Sequence, residues 1–139
     1  MGWAMTFSIL FAIQGGAEAA AQRLLLGTWE FRSFGLMDDK LDAFLAGAKL
    51  TVEPRRMTLR VSAGGGTDER LSFRLLPFAS PLGIDLTNKS GGTFRGIIRV
   101  DGNRLEIAYR TGRKLDRPQQ FKAGAQSNTI YAEFRRAKR

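Results

Sequence analysis

The chain contains no cysteine and no histidine among its 139 residues. Without cysteine it can form no disulfide and offers no thiolate metal ligand or cysteine nucleophile. Without histidine it lacks the usual acid–base group near neutral pH and the commonest metal ligand. Acidic residues are also scarce, since 13 Asp and Glu stand against 22 Lys and Arg, which gives a net charge of +9. This inventory favours a basic protein that is not an enzyme and that carries no cofactor or bound metal.

Long hydrophobic runs are missing except at the N-terminus, where residues Trp3–Ile13 carry no charge. Small residues follow, and the Ala-x-Ala pattern that ends at Ala19 or Ala21 is typical of a signal peptidase site. The run is shorter than the roughly 20 apolar residues that a transmembrane helix needs. We therefore predict a signal peptide over residues 1–21 and one domain over 22–139, exported to the periplasm or beyond, with no transmembrane span in the mature chain. An N-terminal core helix is the alternative.

Short segments of alternating apolar and polar residues make up most of the remaining chain. In the first segment Trp29 and Phe31 alternate with Glu30 and Arg32, which is the period-two pattern of a half-buried strand. Seven further segments have the apolar phases Leu50–Val52, Met57–Val61, Leu71–Leu75, Ile84–Leu86, Phe94–Val100, Leu105–Tyr109 and Ile130–Phe134. The sequence therefore predicts eight strands.

Most of these strands are separated by short turns. Asp101-Gly102-Asn103, for example, is typical of a tight hairpin with positive φ at both central positions. Two connections are longer: residues 35–47, where Asp38 can cap a short helix that includes Phe44, and residues 111–128. Successive antiparallel strands with one apolar face close into a barrel that exposes no sheet edge. We predict an all-β, eight-stranded, up-and-down antiparallel barrel of lipocalin-like type, with a short helix after the first strand.

Several motifs resemble those of one family. They are Leu26-Gly27-Thr28-Trp29, Gly83-Ile84-Asp85-Leu86-Thr87, the stretch Gly96–Leu105, Arg117-Pro118-Gln119-Gln120-Phe121 and Phe134-Arg135-Arg136. Together they are similar to an uncharacterised planctomycete-type family of small exported lipocalin-like domains, over essentially all of the chain after the predicted signal peptide. Family members often have Tyr-Glu where Ile98-Arg99 stands and a cysteine near Ala108. The resemblance implies the barrel fold and no biochemical activity.

A structural pair follows from the wider likeness to lipocalins, whose first strand carries Gly-x-Trp and whose last strand supplies an arginine. Gly27 and Trp29 match the first motif, and Arg136 shares the inward phase of Ala132 and Phe134. An arginine on an apolar face needs a partner, and stacking on an indole supplies a cation–π contact of roughly 1 to 2 kcal/mol. We expect Arg136 to pack over Trp29 as part of the fold.

Acids in the predicted strands do not favour catalysis. Glu30, Glu53, Asp85, Glu106 and Glu133 fall in outward phases. Paired catalytic carboxylates must instead face each other across a site, at about 5 to 10 Å in glycoside hydrolases.

Two hypotheses about function remain, besides a purely structural or interaction domain. The first is a binding module in which the barrel admits a small apolar or amphipathic molecule, with Tyr109 as the best polar contact. Its candidate residues are the inward-facing Phe31, Leu59, Phe73, Phe94, Ile98, Ile107 and Tyr109, with Phe44 and Phe121 as a lid. The competing interpretation is that these side chains simply fill a small barrel.

The second hypothesis is a basic surface that binds an anionic envelope polymer or polysaccharide. Eight arginines take outward phases, namely Arg32, Arg60, Arg74, Arg95, Arg99, Arg104, Arg110 and Arg135, and Arg113, Lys114, Arg117 and Lys122 crowd the last long loop. Modules that read nucleic acid also expose aromatic residues for stacking, whereas the aromatics here mostly take inward phases. We therefore expect no specific nucleic-acid partner.

Overall fold

A computed structural model describes residues 16–34, 47–61, 66–110, 116–122 and 129–137. It contains one helix, α1 (16–25), among these residues, and eight strands. The strands are β1 (Gly27–Phe34), β2 (Lys49–Glu53), β3 (Arg56–Val61), β4 (Thr67–Leu76), β5 (Gly83–Thr87), β6 (Thr93–Asp101), β7 (Arg104–Arg110) and β8 (Thr129–Arg136). Each strand pairs antiparallel with the next and β8 pairs with β1, so the sheet closes into a barrel. The predicted eight-stranded up-and-down barrel is confirmed.

Short connections keep neighbouring strands in register. In the β6–β7 hairpin Asp101 lies opposite Arg104, and Gly102 has φ 59°. Asn103 does not share that positive φ. The prediction of two positive φ values is therefore wrong, because the turn follows the type II′ pattern, in which only the first central residue needs one.

The two ends of the barrel differ in how they are covered. We call the closed end the one where β1 begins and β8 ends, since α1 leads into β1 there and the connections 54–55, 77–82 and 102–103 lie at the same end. We call the mouth end the opposite one, where the connection 88–92 lies and where β7 ends and β8 begins. Leu25 at the end of α1 is buried in the core, and Ala21 packs against it. Buried inward side chains fill the barrel between the two ends.

Part of the outer wall is also shielded from solvent. Ile97 and Ala108 lie opposite each other on β6 and β7, point outward and are buried. The segment 116–122 is anchored on this side of the barrel through Arg117, which donates hydrogen bonds to the carbonyls of Ile84 and Gly96. Segment 116–122 therefore runs along the outside of the wall.

The N-terminal expectations meet the structure only in part. The predicted helix after β1 falls in 35–46, outside the described residues, as does the apolar run that ends at Ile13. Helix α1 spans the predicted cleavage points, and its last turn, including Leu25, packs on the barrel. The alternative of an N-terminal core helix for the apolar run stays a prediction. No helix among the described residues is long and apolar enough to cross a membrane.

Candidate functional site

The closed end is built around Trp29, whose side chain is 0% exposed. Its Nε1 donates to the Leu25 carbonyl at 2.9 Å, which ties the end of α1 to β1. The guanidinium of Arg136 lies over the indole, 4.2 Å from the ring centroid, and donates to the carbonyls of Leu26 and Leu24 at 3.0 Å each. The predicted Trp29–Arg136 pair is confirmed as a structural contact.

Glycine at position 27 is explained by the same contact. Its φ is 121°, and a Cβ built there would lie 3.2 Å from Nη1 of Arg136. Only glycine adopts such a backbone conformation readily, so the Gly-x-Trp motif serves the packing of the closed end.

The middle of the barrel is filled by side chains. Phe31 and Phe134 meet edge to face, with ring centroids 5.8 Å apart. Phe73, Ile98 and Ile107 are buried, as predicted for inward residues. At this level the described inward side chains pack against one another and expose little surface.

Inward residues at the mouth end keep contact with solvent. Leu59, Phe94 and Tyr109 are only partly buried and pack against the core. Phe94 and Tyr109 meet edge to face at 6.1 Å between ring centroids. These residues form an apolar rim with one phenol hydroxyl among them.

The rim also includes one acid, Glu69, which the sequence analysis did not identify. Glu69 lies directly opposite Leu59 and shares the phase of Leu71 and Phe73, so it belongs to the inward face of β4 although its position near the mouth leaves it exposed. Burial, and then the negative charge of Glu69, raise the pKa of the Tyr109 phenol, which stays neutral. The period-two pattern of β4 places Glu69 in the inward phase from the sequence alone.

The predicted lid residues do not cover the mouth in the described structure. Phe44 lies outside the described residues. Phe121 lies against the outer wall near the closed end, where the guanidinium of Arg99 stacks 4.3 Å from its ring centroid. The prediction of Phe121 as a lid over the mouth is therefore wrong, because segment 116–122 runs along the barrel wall instead of across its opening.

The structure describes only part of the predicted basic loop and changes the role expected for Arg117. Arg113 and Lys114 lie outside the described residues, and Lys122 is exposed. Arg117 has a side chain only 21% exposed, and its Nη2 binds Asp85 at 2.8 Å. Because its guanidinium already has a carboxylate and two carbonyls as partners, Arg117 is a structural anchor and not a free contact for a polyanion.

Ion pairs occupy at least four of the eight arginines predicted to point outward. Arg60, Arg99, Arg104 and Arg110 pair with Asp68, Glu106, Glu133 and Asp116 in that order. Neutralised charges of this kind contribute less to the attraction of a polyanion than free cations do.

Glu106 is the centre of a hydrogen-bonded cluster on the outer wall. Tyr131 donates its hydroxyl to one carboxylate oxygen at 2.6 Å, and Arg99 donates through Nε to the other at 2.6 Å. Arg104 lies 3.0 Å from the first oxygen and also binds Glu133. Burial alone would raise the pKa of Glu106, but the hydrogen bonds from Tyr131 and Arg99 and the two positive charges lower it below its ordinary value. A carboxylate held ionised with both oxygens occupied fits a structural tie between strands.

Comparison with known proteins identifies the fold. No protein-family model matches the chain, and no curated protein matches it. Among solved structures, the chain is similar to a protein described as a de novo design of a fluorescence-activating beta barrel. The identity is 19%, the match covers 84% of this chain and 97% of the design, and the TM-score is 0.50. The likeness concerns the barrel alone, and the resemblance to planctomycete-type domains stays a prediction.

Proposed function

We propose that this chain is an exported, lipocalin-like binding module that takes a small apolar or amphipathic molecule at the mouth end of its barrel. The observation that carries the proposal is a set of inward-facing apolar side chains at the mouth end that stay only partly buried. They are Leu59, Phe94 and Tyr109, and the last two meet edge to face. A ligand that covers partly exposed apolar side chains inside a barrel removes apolar surface from water, and this burial makes binding favourable.

The polar groups of the mouth favour an amphipathic ligand over a purely apolar one. The Tyr109 hydroxyl can donate or accept a hydrogen bond, and Glu69 supplies an acceptor beside it. Ligand sites commonly combine an apolar lining with a few polar groups that fix orientation. The designed barrel to which the chain is similar is described as fluorescence-activating, which supports small-molecule binding as a use of this kind of fold.

Export belongs to the same proposal, since it depends on the apolar N-terminal run and its Ala-x-Ala pattern. A binding role without catalysis agrees with a chain that has neither cysteine nor histidine.

The test is a titration of the folded protein with an environment-sensitive apolar fluorophore. Leu59→Trp should lower the affinity, because a larger side chain narrows the mouth. Thr58→Trp, one residue away in the opposite phase, is the matched control and should bind the dye as the original chain does. Binding should change little with salt, because apolar burial does not depend on screening. A folded protein that leaves the dye unaffected, or equal losses in both variants, would contradict the proposal.

The polyanion hypothesis receives less support, because the arginine pairs and the anchoring of Arg117 use up cations on which it depends. It predicts heparin binding that weakens steeply with ionic strength, since the Debye length shortens from about 10 Å at 0.1 M to about 3 Å at 1 M salt. A chain that binds no heparin even at low ionic strength would contradict this hypothesis.

A further inference from the structure

A cleft of about 720 Å³ lies at the closed end of the barrel. Its walls are Ala21, Leu24 and Leu25 near the end of α1, the connection 80–82, residues 98–100 of β6 and residues 119–121. It lies on the opposite end of the molecule from Leu59 and Phe94 and is therefore distinct from the mouth.

The cleft exists because β5 is shorter than its neighbours. The β5–β6 ladder ends at the pair Gly83 and Ile97, followed by one hydrogen bond from the Ile98 amide to the Leu82 carbonyl. Beyond that point Val100 pairs only with Leu105 of β7. The wall thus opens along β6, and α1 and the segment 119–121 flank the opening without filling it.

The inner surface of the cleft is apolar. Leu25, Leu82, Ile98 and Val100 line it, and Leu24 at its edge is 61% exposed. A volume of this size falls within the range of small-molecule sites, about 300 to 1,000 Å³. The exposed leucine and the apolar lining favour an occupant with a hydrocarbon portion.

The charged group at the cleft is a cation. Arg99 is the charged residue among those that line it, and no acid lines it. Glu106 contacts Nε and Nη2 of this guanidinium, and no contact with another described residue uses Nη1. Stacking on Phe121 holds the group at the edge of the cleft. Because Glu106 offsets the charge of this guanidinium, the features that favour an anionic ligand are the Nη1 donor and the overall charge of +9.

We propose that this cleft binds an anionic amphiphile with a linear hydrocarbon chain, such as a fatty carboxylate. The hydrocarbon chain packs between α1 and β6 against Leu82 and Val100, and the carboxylate accepts a hydrogen bond from Arg99.

The experiment titrates the full chain with octanoate, octanol and octyltrimethylammonium and follows the methyl groups by NMR. The three probes share a tail length and differ in head group. All should shift the methyl signals of Leu82, Ile98 and Val100, and octanoate should bind about tenfold more tightly than octanol, which corresponds to about 1.4 kcal/mol. The ammonium probe should bind most weakly, because its head group cannot accept a hydrogen bond from Arg99 and the chain as a whole is positively charged.

Variants separate this cleft from the mouth. Leu82→Trp should abolish the shifts at Ile98 and Val100, whereas Leu59→Trp at the mouth should leave them intact, so the failure of one site does not imply failure of the other. Arg99→Gln should make octanoate no better than octanol, and Arg99→Lys should keep most of the preference for the carboxylate.

Three outcomes would overturn the proposal. They are shifts confined to the residues of the mouth, equal affinities of the three probes for the original chain, or no saturable shift at the cleft. The head-group series uses the original chain, so it decides the matter even if an Arg99 variant fails to fold.

Discussion

The guanidinium of Arg136, near the end of the last strand, lies 4.2 Å from the centroid of the Trp29 indole in the first strand. The two residues are also register partners in the β1–β8 ladder that closes the barrel. The contact joins the first strand to the last at the closed end. Through the hydrogen bonds of Arg136 to the carbonyls of Leu24 and Leu26, it extends to the end of α1.

We expect Trp29→Ala to lower the free energy of unfolding by about 3 to 5 kcal/mol, the usual cost of truncating a buried large aromatic. Arg136→Ala should cost less, because its side chain is only partly buried. Urea unfolding of both single variants and the double variant gives their coupling energy, which should exceed about 0.5 kcal/mol for residues in contact. Strictly additive effects would show that the stacking contributes nothing.

Gly96→Ala should destabilise the barrel by about 1 to 3 kcal/mol, the usual range for overpacking. A Cβ at this position would lie 2.5 Å from the Ala108 carbonyl oxygen and 2.9 Å from Cβ of Tyr109. Neither atom can move without shifting β7. Gly16→Ala is the control, since nothing lies within 4 Å of the added methyl. Thermal unfolding of the two variants should differ clearly, and equal midpoints would contradict this account of Gly96.

The phenol of Tyr131 should ionise only in strong alkali. Burial and the hydrogen bond to Glu106 raise its pKa from 10.0 to about 12. Because the folded pKa exceeds the unfolded one, this interaction contributes its full stability below pH 10 and loses it as the pH rises toward 12. Tyr109 also has a raised pKa, so a spectrophotometric titration should show little tyrosinate at pH 10.

Two variants show which tyrosine is responsible for each step of that titration. Tyr131→Phe leaves Tyr109 as the remaining tyrosine, since the chain has two. Glu106→Gln should move the Tyr131 pKa toward its ordinary value, because the negative charge disappears. An unchanged titration in Glu106→Gln would show that the Glu106 charge does not raise the pKa.

Arg117→Ser should destabilise the protein, whereas Lys122→Ser should not. Arg117 binds Asp85 and the carbonyls of Ile84 and Gly96, and each hydrogen bond to a charged group contributes about 1.5 to 3 kcal/mol. Lys122 is exposed. Each substitution removes one positive charge, so a difference in their denaturant unfolding midpoints reports the contacts of Arg117. Equal midpoints would mean that Arg117 does not anchor segment 116–122.

The exported protein should begin near Ala20 or Gln22. The apolar run and the Ala-x-Ala pattern predict removal of residues 1–21, and the part of α1 that packs most deeply, Leu25, would be retained. N-terminal sequencing of the secreted product gives the answer directly. A soluble cytoplasmic product that still begins at Met1 would show the prediction to be wrong.

How much the sequence determined can be seen from particular residues. Alternation alone placed Trp29, Phe73 and Ile107 inside, because the period of two links each side chain to a face of its own strand. Closure of eight such strands into a barrel gives every backbone N–H and C=O group at a sheet edge a hydrogen-bond partner. The same alternation predicts the inward position of Glu69, which shares the phase of Leu71 and Phe73.

Tertiary structure alone decided where segment 116–122 lies and what it covers. No local pattern shows that Arg117 reaches the carbonyls of Ile84 and Gly96, or that Phe121 meets Arg99 instead of the mouth. Nor does alternation explain the burial of outward-facing Glu106, since it reports only the two faces of one strand. These contacts join residues that are far apart in the chain and depend on the shape of the closed barrel, and the cleft beside α1 depends on the same packing.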